Sequence, residues 1–373
     1  MKNRWILILG IASVAFIGAA TLFITLHHGA KATGKPIHTR QAVHPTQATH
    51  VSPSTLIPPS DSSPVACTVT VTQYGASTRS ANNAPAFQSA IDAGAGGTVC
   101  VPPGTWDFET QVIIYSAEVF TGAGTGKTTL MQTVADHNLL QVKGDSTIVQ
   151  DLTLDTQTYN GGIPFASGAS HVTLRNAHVL SGNQPGHFAV YFAGPSGATA
   201  AAPRYSTGNT IDNVAINDKI CDDGLSWSFQ QDGAIRNVSE LGSRLALYID
   251  SSTTVDNYSY TPGPCTQADN GFWITPPSEN ITITNFVSSG EGGKICPNLN
   301  GRPCTNITID NERAKGVLAI GDVTNLIVRR TIVGNIYIFT NTGATGKWES
   351  SQPVSALCNH GSIHISGLQC VAR

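Results

Sequence analysis

The chain has 373 residues, a net charge of −3 and only 12% charged residues. This charge content is about half the usual share and carries no basic excess, which argues against binding to nucleic acid. Glycine accounts for 37 residues. Together with abundant Thr, Asn, Ser and Val, it favours an all-β protein held together by backbone pairing.

The N-terminus predicts export from the cytoplasm. Lys2 and Arg4 precede an uncharged apolar run at residues 5–26, long enough to cross a bilayer as a helix. Because Ala30-Lys31-Ala32 resembles a cleavage site, residues 1–30 are either a transmembrane signal-anchor or a removed signal peptide. We therefore expect a cell-membrane protein with an extracellular domain, anchored in the membrane through residues 5–26, or a secreted protein.

Residues 31–64 are rich in Pro, Ser and Thr and show no hydrophobic period. This composition is typical of a disordered linker or stalk. We expect residues 65–373 to form a single domain, because about 300 residues suffice for one sizeable core.

The cysteines indicate disulfides. All eight lie beyond the linker, at positions 67, 100, 221, 265, 296, 304, 358 and 370, and an even number in an exported domain favours pairing. Cys296–Cys304 and Cys358–Cys370 are the pairs we expect first, since each closes a short loop. A structural zinc site is the alternative, but no Cys-x-x-Cys occurs and the histidines are scattered.

The run FTGAGTGKTTL at residues 120–130 resembles a phosphate-binding loop. Such a loop needs a glycine where this chain has Thr121, and it must open a helix, whereas no capped helical pattern follows. We therefore expect no bound nucleotide. The glycines predict a turn that uses positive φ angles, with Lys127 in solvent.

A short phrase recurs from residue 145 onward. Its nine copies, aligned on their last residue, carry an aliphatic side chain two positions earlier, and six end in Asn. Successive copies lie 19 to 37 residues apart. They are TIVQD (147–151), VTLRN (172–176), NTIDN (209–213), GAIRN (233–237), TTVDN (253–257), ITITN (281–285), ITIDN (307–311), LIVRR (326–330) and IHISG (363–367).

A repeated unit of near 20 residues with insertions is typical of a solenoid. Each phrase alternates and is β-branched, which predicts a short strand, and the terminal Asn suits a left-handed bend. Stacked coils would pair these strands in parallel, pile the aliphatic residues inside and align the Asn residues in a ladder. The alternative is an antiparallel sandwich, which gives no reason to repeat Asn at one register.

The start of the domain resembles the N-terminal capping region of pectate-lyase-superfamily right-handed parallel β-helices, as in pectate-lyase-3-like proteins. The matching parts are Tyr74-Gly75-Ala76, a helix at Ala86–Ala93 and the Val-Pro-Pro-Gly-Thr of Val101–Thr105. Gln73 departs from the more common Asp. This resemblance implies a right-handed parallel β-helix with an N-terminal capping helix, and it names no reaction.

The segment NDKICDDGLSWS (217–228) is the best candidate site. We expect the second strands of successive coils to lie side by side, about 4.8 Å apart, which brings residues that are remote along the chain to one surface. The predicted catalytic residues are Asp222, Asp223 and Asp269, and the predicted substrate-binding residues are His187, Arg244, Trp227, Tyr248 and Trp273.

Carboxylates beside aromatic rings suit hydrolysis of a polysaccharide, with one acid protonating the leaving oxygen and another activating water. Each residue also has a simpler interpretation. Asp-Asp-Gly is common in turns, and Arg244 can serve only to balance the carboxylates. His187 can be a surface-strand residue, and both tryptophans can be core packing.

Asp222-Asp223-Gly224-Leu225 resembles the Asp-Asp motif of β-helical glycoside hydrolases, above all the α-1,3-glucanase/mycodextranase family. That resemblance implies inverting hydrolysis by Asp residues, although GHFAVYF stands where that family has a further Asp motif.

These patterns predict an extracellular, monomeric glycoside hydrolase without cofactor or metal, acting on a polysaccharide. One alternative is a polysaccharide lyase, which would use a Lys or Arg base and commonly Ca²⁺ held by carboxylates. The other is a non-catalytic glycan-binding or adhesin-like β-helix.

Overall fold

The computed structural model describes residues 66–134, 138–156, 165–181, 188–218, 223–263, 270–297, 301–349, 354–359 and 362–372. The predicted N-terminal apolar segment (5–26) and the predicted linker (31–64) lie outside these residues. Within the described ranges, no helix is long and apolar enough to cross a membrane.

The described chain consists mainly of short strands, with one α-helix near its start. The helix α1 spans Ala84–Ala93, and a 3-10 turn spans Val71–Tyr74. The strands up to residue 193 are β1 Val69–Thr70, β2 Thr98–Cys100, β3 Gly104–Phe108, β4 Val112–Ile114, β5 Val119–Thr121, β6 Thr128–Gln132, β7 Leu140–Val142, β8 Ile148–Asp155, β9 Ala166–Ser167, β10 Thr173–Ser181 and β11 Phe188–Ala193.

The strands from residue 206 to 288 are β12 Ser206–Thr207, β13 Thr210–Asp218, β14 Asp223–Ser228, β15 Gln230–Gln231, β16 Ala234–Gly242, β17 Arg244–Tyr248, β18 Thr254–Pro262, β19 Phe272–Thr275 and β20 Glu279–Ser288. The remaining strands are β21 Gly293–Ile295, β22 Cys304–Asp310, β23 Arg313–Ala314, β24 Val317–Ile320, β25 Val323–Arg329, β26 Asn335–Ile338, β27 Ala344–Glu349, β28 Val354–Cys358, β29 Ile363–Ser366 and β30 Leu368–Ala372.

Two long parallel sheets run side by side along the chain. The first has the order β1-β2-β5-β8-β10-β13-β16-β18-β20-β22-β25-β27-β29, with β3, β6 and β23 joined to it. The second has the order β4-β7-β9-β11-β14-β17-β19-β21-β24-β26-β28-β30. Because strands of the two sheets alternate along the chain and each pairs with its counterpart one coil later, the fold is a parallel β-helix, as predicted.

The repeated phrase forms the straight part of each coil. The aliphatic residue two before its end is buried in all nine copies, at Val149, Leu174, Ile211, Ile235, Val255, Ile283, Ile309, Val328 and Ile365. The last residue has a positive φ in every copy, from Asp151 (57°) through the six Asn residues to Arg330 (47°) and Gly367 (83°). Both predictions, the internal stack and the left-handed bend, are confirmed.

The Asn ladder is present, with an alternating pattern of partners. Asn213 Nδ2 donates to Asn176 Oδ1 (2.9 Å), and Asn257 Nδ2 donates to Asn237 Oδ1 (2.8 Å). Asn237 Nδ2 instead donates to Asp212 Oδ1 (2.8 Å), one residue before the bend. A neighbouring Asp thus continues the ladder where two Asn side chains do not meet.

The first-sheet strand of a coil continues past its Asn, for example as the latter part of β13 beyond Asn213. The second-sheet strand β14 begins only at Asp223. The left-handed bend therefore turns a strand and does not end it.

The outer face of the first sheet carries a row of residues, eight of which lie one position before the end of a repeated phrase, and Glu349 on β27 continues the row. Across neighbouring strands, like charges never stand opposite each other in this row, which favours one register over slipped alternatives. The row runs Gln150, Arg175, Asp212, Arg236, Asp256, Thr284, Asp310, Arg329 and Glu349.

The capping region folds as predicted, with a helix that begins two residues earlier than expected. α1 starts at Ala84 with a proline in its first turn, a position where the missing N–H costs nothing. Its apolar face buries Phe87 against Trp106 (5.6 Å between ring centroids) and Phe108 (4.8 Å). The helix thus covers the end of the core.

The glycine-rich run is a turn between β5 and β6, as predicted. Gly124 and Gly126 have φ of 127° and 73°, and Lys127 is exposed. A Cβ at Gly122 would lie 2.3 Å from the carbonyl oxygen of Asp151, so the next coil passes too close for a side chain.

Both expected disulfides, Cys296–Cys304 and Cys358–Cys370, are present, together with Cys67–Cys100. Cys221 and Cys265 lie outside the described residues.

Candidate active site

Strands β14, β17, β19 and β21 lie side by side in the second sheet and position the candidate site. Their inward residues form the core, because side chains alternate between the two faces of a strand. Arg244, Trp273 and Lys294 point to the outer face, where Trp273 pairs with Lys294 on the next strand. The site therefore lies on the outer surface of this sheet.

A β-bulge brings Asp223 to that outer face. Asp223 stands opposite Arg244 and Leu225 opposite Leu245, so two residue steps on β14 match one on β17. In a regular strand Asp223 would share the inward face of Leu225. The bulge changes this direction, as bulges commonly do beside functional sites.

Asp223 is fully buried, and Arg244 and Tyr248 both donate hydrogen bonds to its carboxylate. Its Oδ1 accepts from Arg244 Nε at 2.8 Å, and its Oδ2 accepts from Tyr248 Oη at 2.7 Å. The Arg244 side chain is 10% exposed and that of Asp223 is 0% exposed. A carboxylate held by a guanidinium and a phenol acts as an acceptor in its ionised form.

The indole of Trp273 lies beneath two cations. The guanidinium carbon of Arg244 is 4.4 Å from the ring centroid, and Lys294 Nζ is 5.4 Å from it. Tyr248 contacts the same indole edge-on, with ring centroids 5.9 Å apart. Stacking of this kind fixes the orientation of both cations.

Lys294 is half-buried, and burial lowers the pKa of its amine. The positive charge of Arg244 lowers this pKa further. In the ranges that the structure covers, no carboxylate forms an ion pair with Lys294. Its amine therefore gives up its proton more readily than that of a solvated lysine, which leaves more of it in the neutral form that can act as a base.

Tyr191 on β11 completes the aromatic edge of the site. It forms a hydrogen bond with Ser228 and lies near the charge of Asp223. Burial raises the pKa of Tyr191, the hydrogen bond opposes this shift and Asp223 adds to it. Tyr191 also contacts Phe188, with ring centroids 4.7 Å apart.

The loop after β11 (residues 194–205) contacts a distant part of the chain. Arg302 Nη1, which lies shortly before β22, donates to the Ala200 carbonyl of this loop at 3.4 Å, 102 residues away along the chain.

Four of the eight predicted site residues meet in this cluster: Asp223, Arg244, Tyr248 and Trp273. Asp222, Asp269 and His187 lie outside the described residues. The prediction for Trp227 is wrong, because its side chain is 0% exposed and packs inside against Phe192, with ring centroids 4.6 Å apart. Trp227 is therefore a core-packing residue, which was the simpler interpretation of its position in the sequence.

Sequence reasoning missed Lys294 and Tyr191. Lys294 lies in GGKIC, which matches no motif, and only the pairing of β19 with β21 aligns it with Trp273. Extending the strand register one coil beyond Trp273 would have found it. Within the described part of the chain, no group of three or more His, Cys, Asp or Glu is placed to hold a metal ion.

No protein-family model and no curated protein matches the chain. Similar solved structures include the catalytic domain of Agl-KA, with 15% identity, a TM-score of 0.49, and coverage of 85% of this chain and 70% of that one. The catalytic unit of a GH87 α-1,3-glucanase from Streptomyces thermodiastaticus shows 14% identity, a TM-score of 0.49 and coverage of 83% and 69%. The A-module of the mannuronan C-5 epimerase AlgE6 from Azotobacter vinelandii shows 14% identity, a TM-score of 0.41 and coverage of 82% and 100%. Similarities at this level concern the architecture alone.

Proposed function

We propose that the chain is an exported enzyme that hydrolyses a polysaccharide on the outer face of β14, β17, β19 and β21. The observation that carries this proposal is the buried cluster of Asp223, Arg244 and Tyr248 above Trp273. Removing such charges from water costs several kcal/mol per ion. This is a large fraction of the free energy of unfolding of a domain, which is about 5–15 kcal/mol. Clusters of this kind are enriched at functional sites.

The acid and the base are assigned to Asp222 and Asp269. Asp222 directly precedes β14, and Asp269 lies shortly before β19. One strand separates β14 from β19, so these two strands lie about 9.5 Å apart. Inverting hydrolases hold their two carboxyl groups about 6.5–9.5 Å apart.

In the proposed reaction, one Asp donates its proton to the glycosidic oxygen as the bond to the anomeric carbon breaks. A water molecule attacks that carbon from the opposite side, and the second Asp accepts the proton that this water loses. Asp223, being fully buried, positions Arg244 and Tyr248. These two residues, with His187 and Trp273, are proposed to contact the sugar.

The test uses full-length protein with a panel of neutral glucans and pectins, measuring new reducing ends. We expect Asp222→Asn and Asp269→Asn to lower the rate by about 100-fold or more, the usual contribution of a general acid or base. The matched control is Asp232→Asn, an exposed Asp at φ 54°, a conformation that Asn tolerates. Retention of full activity in both site variants would refute the assignment.

Eliminative cleavage by a polysaccharide lyase is the second candidate function, and Lys294 favours it. An amine with a lowered pKa, beside Arg244, suits abstraction of a proton next to a uronate carboxyl group, followed by cleavage of the glycosidic bond. The signature is an ultraviolet-absorbing unsaturated product from pectins, which Lys294→Met should no longer form.

Export is consistent with three disulfides among the described residues. Binding of polysaccharide with no product of either kind would indicate a glycan-binding protein.

A further inference from the structure

The outward row that contains Trp273 and Lys294 continues to the last strand of the second sheet. Lys294 pairs with Ala319, which pairs with Tyr337, and Tyr337 is followed by Leu357 and Val371. Tyr337, Leu357 and Val371 are 39%, 37% and 46% exposed, among the most exposed large apolar side chains of the described chain. An apolar ridge thus extends from the candidate site along the coil axis.

A polar row lies beside this ridge. Two residues before each apolar member, on the same strand and the same face, stand Asn335, Ser355 and Gln369, all exposed. The strands β26, β28 and β30 contain no charged residue. We call these six residues the C-terminal track: Tyr337, Leu357 and Val371 with Asn335, Ser355 and Gln369.

This pairing of rows matches the chemistry of an uncharged sugar chain. A sugar ring presents apolar C–H faces, which pack on aromatic and aliphatic side chains. Its hydroxyl groups exchange hydrogen bonds with amides and hydroxyls such as those of Asn335, Ser355 and Gln369. The track offers no cation for a carboxylate or sulfate, which favours neutral sugars there.

We propose that the C-terminal track binds the distal part of a linear neutral polysaccharide whose reacting bond lies over β14 to β19. This inference rests on the proposed function. Continuity with the site supports this occupant over a second copy of the chain, because Tyr337 shares one register with Trp273. Three strand spacings separate them, or about 14 Å, a distance that an extended chain of a few sugars spans.

The experiment measures binding and turnover by full-length protein with soluble neutral polysaccharides (α-glucan, β-glucan, xylan and galactomannan) and with polygalacturonate. The test variant is Tyr337→Ser with Leu357→Ser. The matched control is Tyr115→Ser, which removes a 61% exposed tyrosine next to β4 at the other end of the same sheet. Urea midpoints verify that all variants fold.

We expect the test variant to bind the preferred neutral polymer about tenfold more weakly, as loss of two apolar contacts implies. KM for the long polymer should rise by a similar factor, while kcat and turnover of a short oligosaccharide stay unchanged. Tyr115→Ser should match the wild type in every measurement.

Unchanged affinity and KM in the test variant would overturn the inference, and so would a wild-type dimer that this variant converts to monomer in sedimentation. If the wild type binds a neutral polymer through the track but forms no product, the proposed function fails and the track stands. If the wild type forms product, Asp222→Asn abolishes this product, and the track variant forms it with unchanged affinity and KM, only the inference about the track fails. Failure of the wild type to bind any polymer would overturn both.

Discussion

Buried carboxylates in this protein differ in how their charge is compensated. Asp223 has Arg244 and Tyr248 as hydrogen-bond donors. Glu312 is 0% exposed and accepts a single hydrogen bond, from the Gly293 N–H at 3.1 Å, and burial raises its pKa to about 8. Burial likewise raises the pKa of Glu118 to about 7. Hydrogen-bond donors compensate the first carboxylate, whereas burial shifts the other two towards the neutral form.

Removal of the Arg244 charge should destabilise the protein strongly. Arg244→Met removes the cation that pairs at 2.8 Å with a carboxylate that is 0% exposed, and breaking a buried pair costs about 3–5 kcal/mol. Urea unfolding measures the loss. The control is Arg329→Met in the exposed pair with Glu349, where we expect about 0–1 kcal/mol. Equal losses in the two variants would contradict a buried, energetically coupled site.

Glu312 should make stability fall as the pH rises. Its pKa in the folded protein, about 8, exceeds the ordinary value of 4.5, so the folded state retains a proton that the unfolded chain releases between these values. The contribution of this protonated carboxyl group to the free energy of unfolding is complete below pH 4.5 and is lost as the pH rises through about 8. Glu312→Gln should flatten this decline in urea midpoints, while Glu109→Gln, at an exposed position, should not. Identical slopes in all three proteins would refute the shift.

At the scale of the strand, two left-handed residues set the shape of the coil at eight of the nine repeated phrases. One ends the repeated phrase, and a second lies five residues before it, as in the pairs Asn280/Asn285 and Asn306/Asn311. The earlier residues carry a ladder of their own, since Asn306 Nδ2 donates to Asn280 Oδ1 (2.9 Å) and Asn325 Nδ2 to Asn306 Oδ1 (2.8 Å). Between the two bends only four residues remain straight, which explains the short phrase.

Two substitutions of Asn257 should separate the contribution of its side-chain hydrogen bond to stability from that of its left-handed backbone conformation. This residue has φ 54°, and its Nδ2 donates to Asn237 Oδ1. Asn257→Gly loses the hydrogen bond but accepts the bend, whereas Asn257→Ala also meets the left-handed penalty of about 1–2 kcal/mol. We therefore expect the Ala variant to be less stable than the Gly variant by about 1 kcal/mol in urea unfolding.

The control for this comparison is Asn217→Ala on β13, an exposed Asn without a positive φ. Its effect should stay within about 0.5 kcal/mol. An Ala variant of Asn257 as stable as the Gly variant would show that the bend is not strained.

At the scale of the whole molecule, each coil contacts mainly its two neighbours, so the ends have fewer partners than the middle. α1 covers the first coils, and the disulfide Cys67–Cys100 ties the chain there. At the other end Cys358–Cys370 joins β28 to β30. These crosslinks restrain the places where a solenoid would open first.

Loss of the terminal disulfide should therefore act locally. The double variant Cys358→Ser/Cys370→Ser should lose about 2–3 kcal/mol and show faster hydrogen exchange in β28 and β30. Exchange in β13 and β16 should remain slow, because nearest-neighbour stabilisation does not reach that far. Cys67→Ser/Cys100→Ser should accelerate exchange only near β1 and β2. Uniform acceleration along the chain would indicate a single cooperative unit instead.

The sequence by itself determined the coil. Aliphatic residues and left-handed Asn at one register are local signals, and both follow from backbone sterics and burial, so the β-helix, the capping helix and two disulfides could be predicted. Only the tertiary structure decided which side chains meet at the site. A bulge at Asp223 and the pairing of β19 with β21 direct Asp223 outward and bring Lys294 to Trp273, while Trp227 points inward. A shift of one residue reverses the face of a side chain, and such shifts are set by contacts between coils that are remote along the chain.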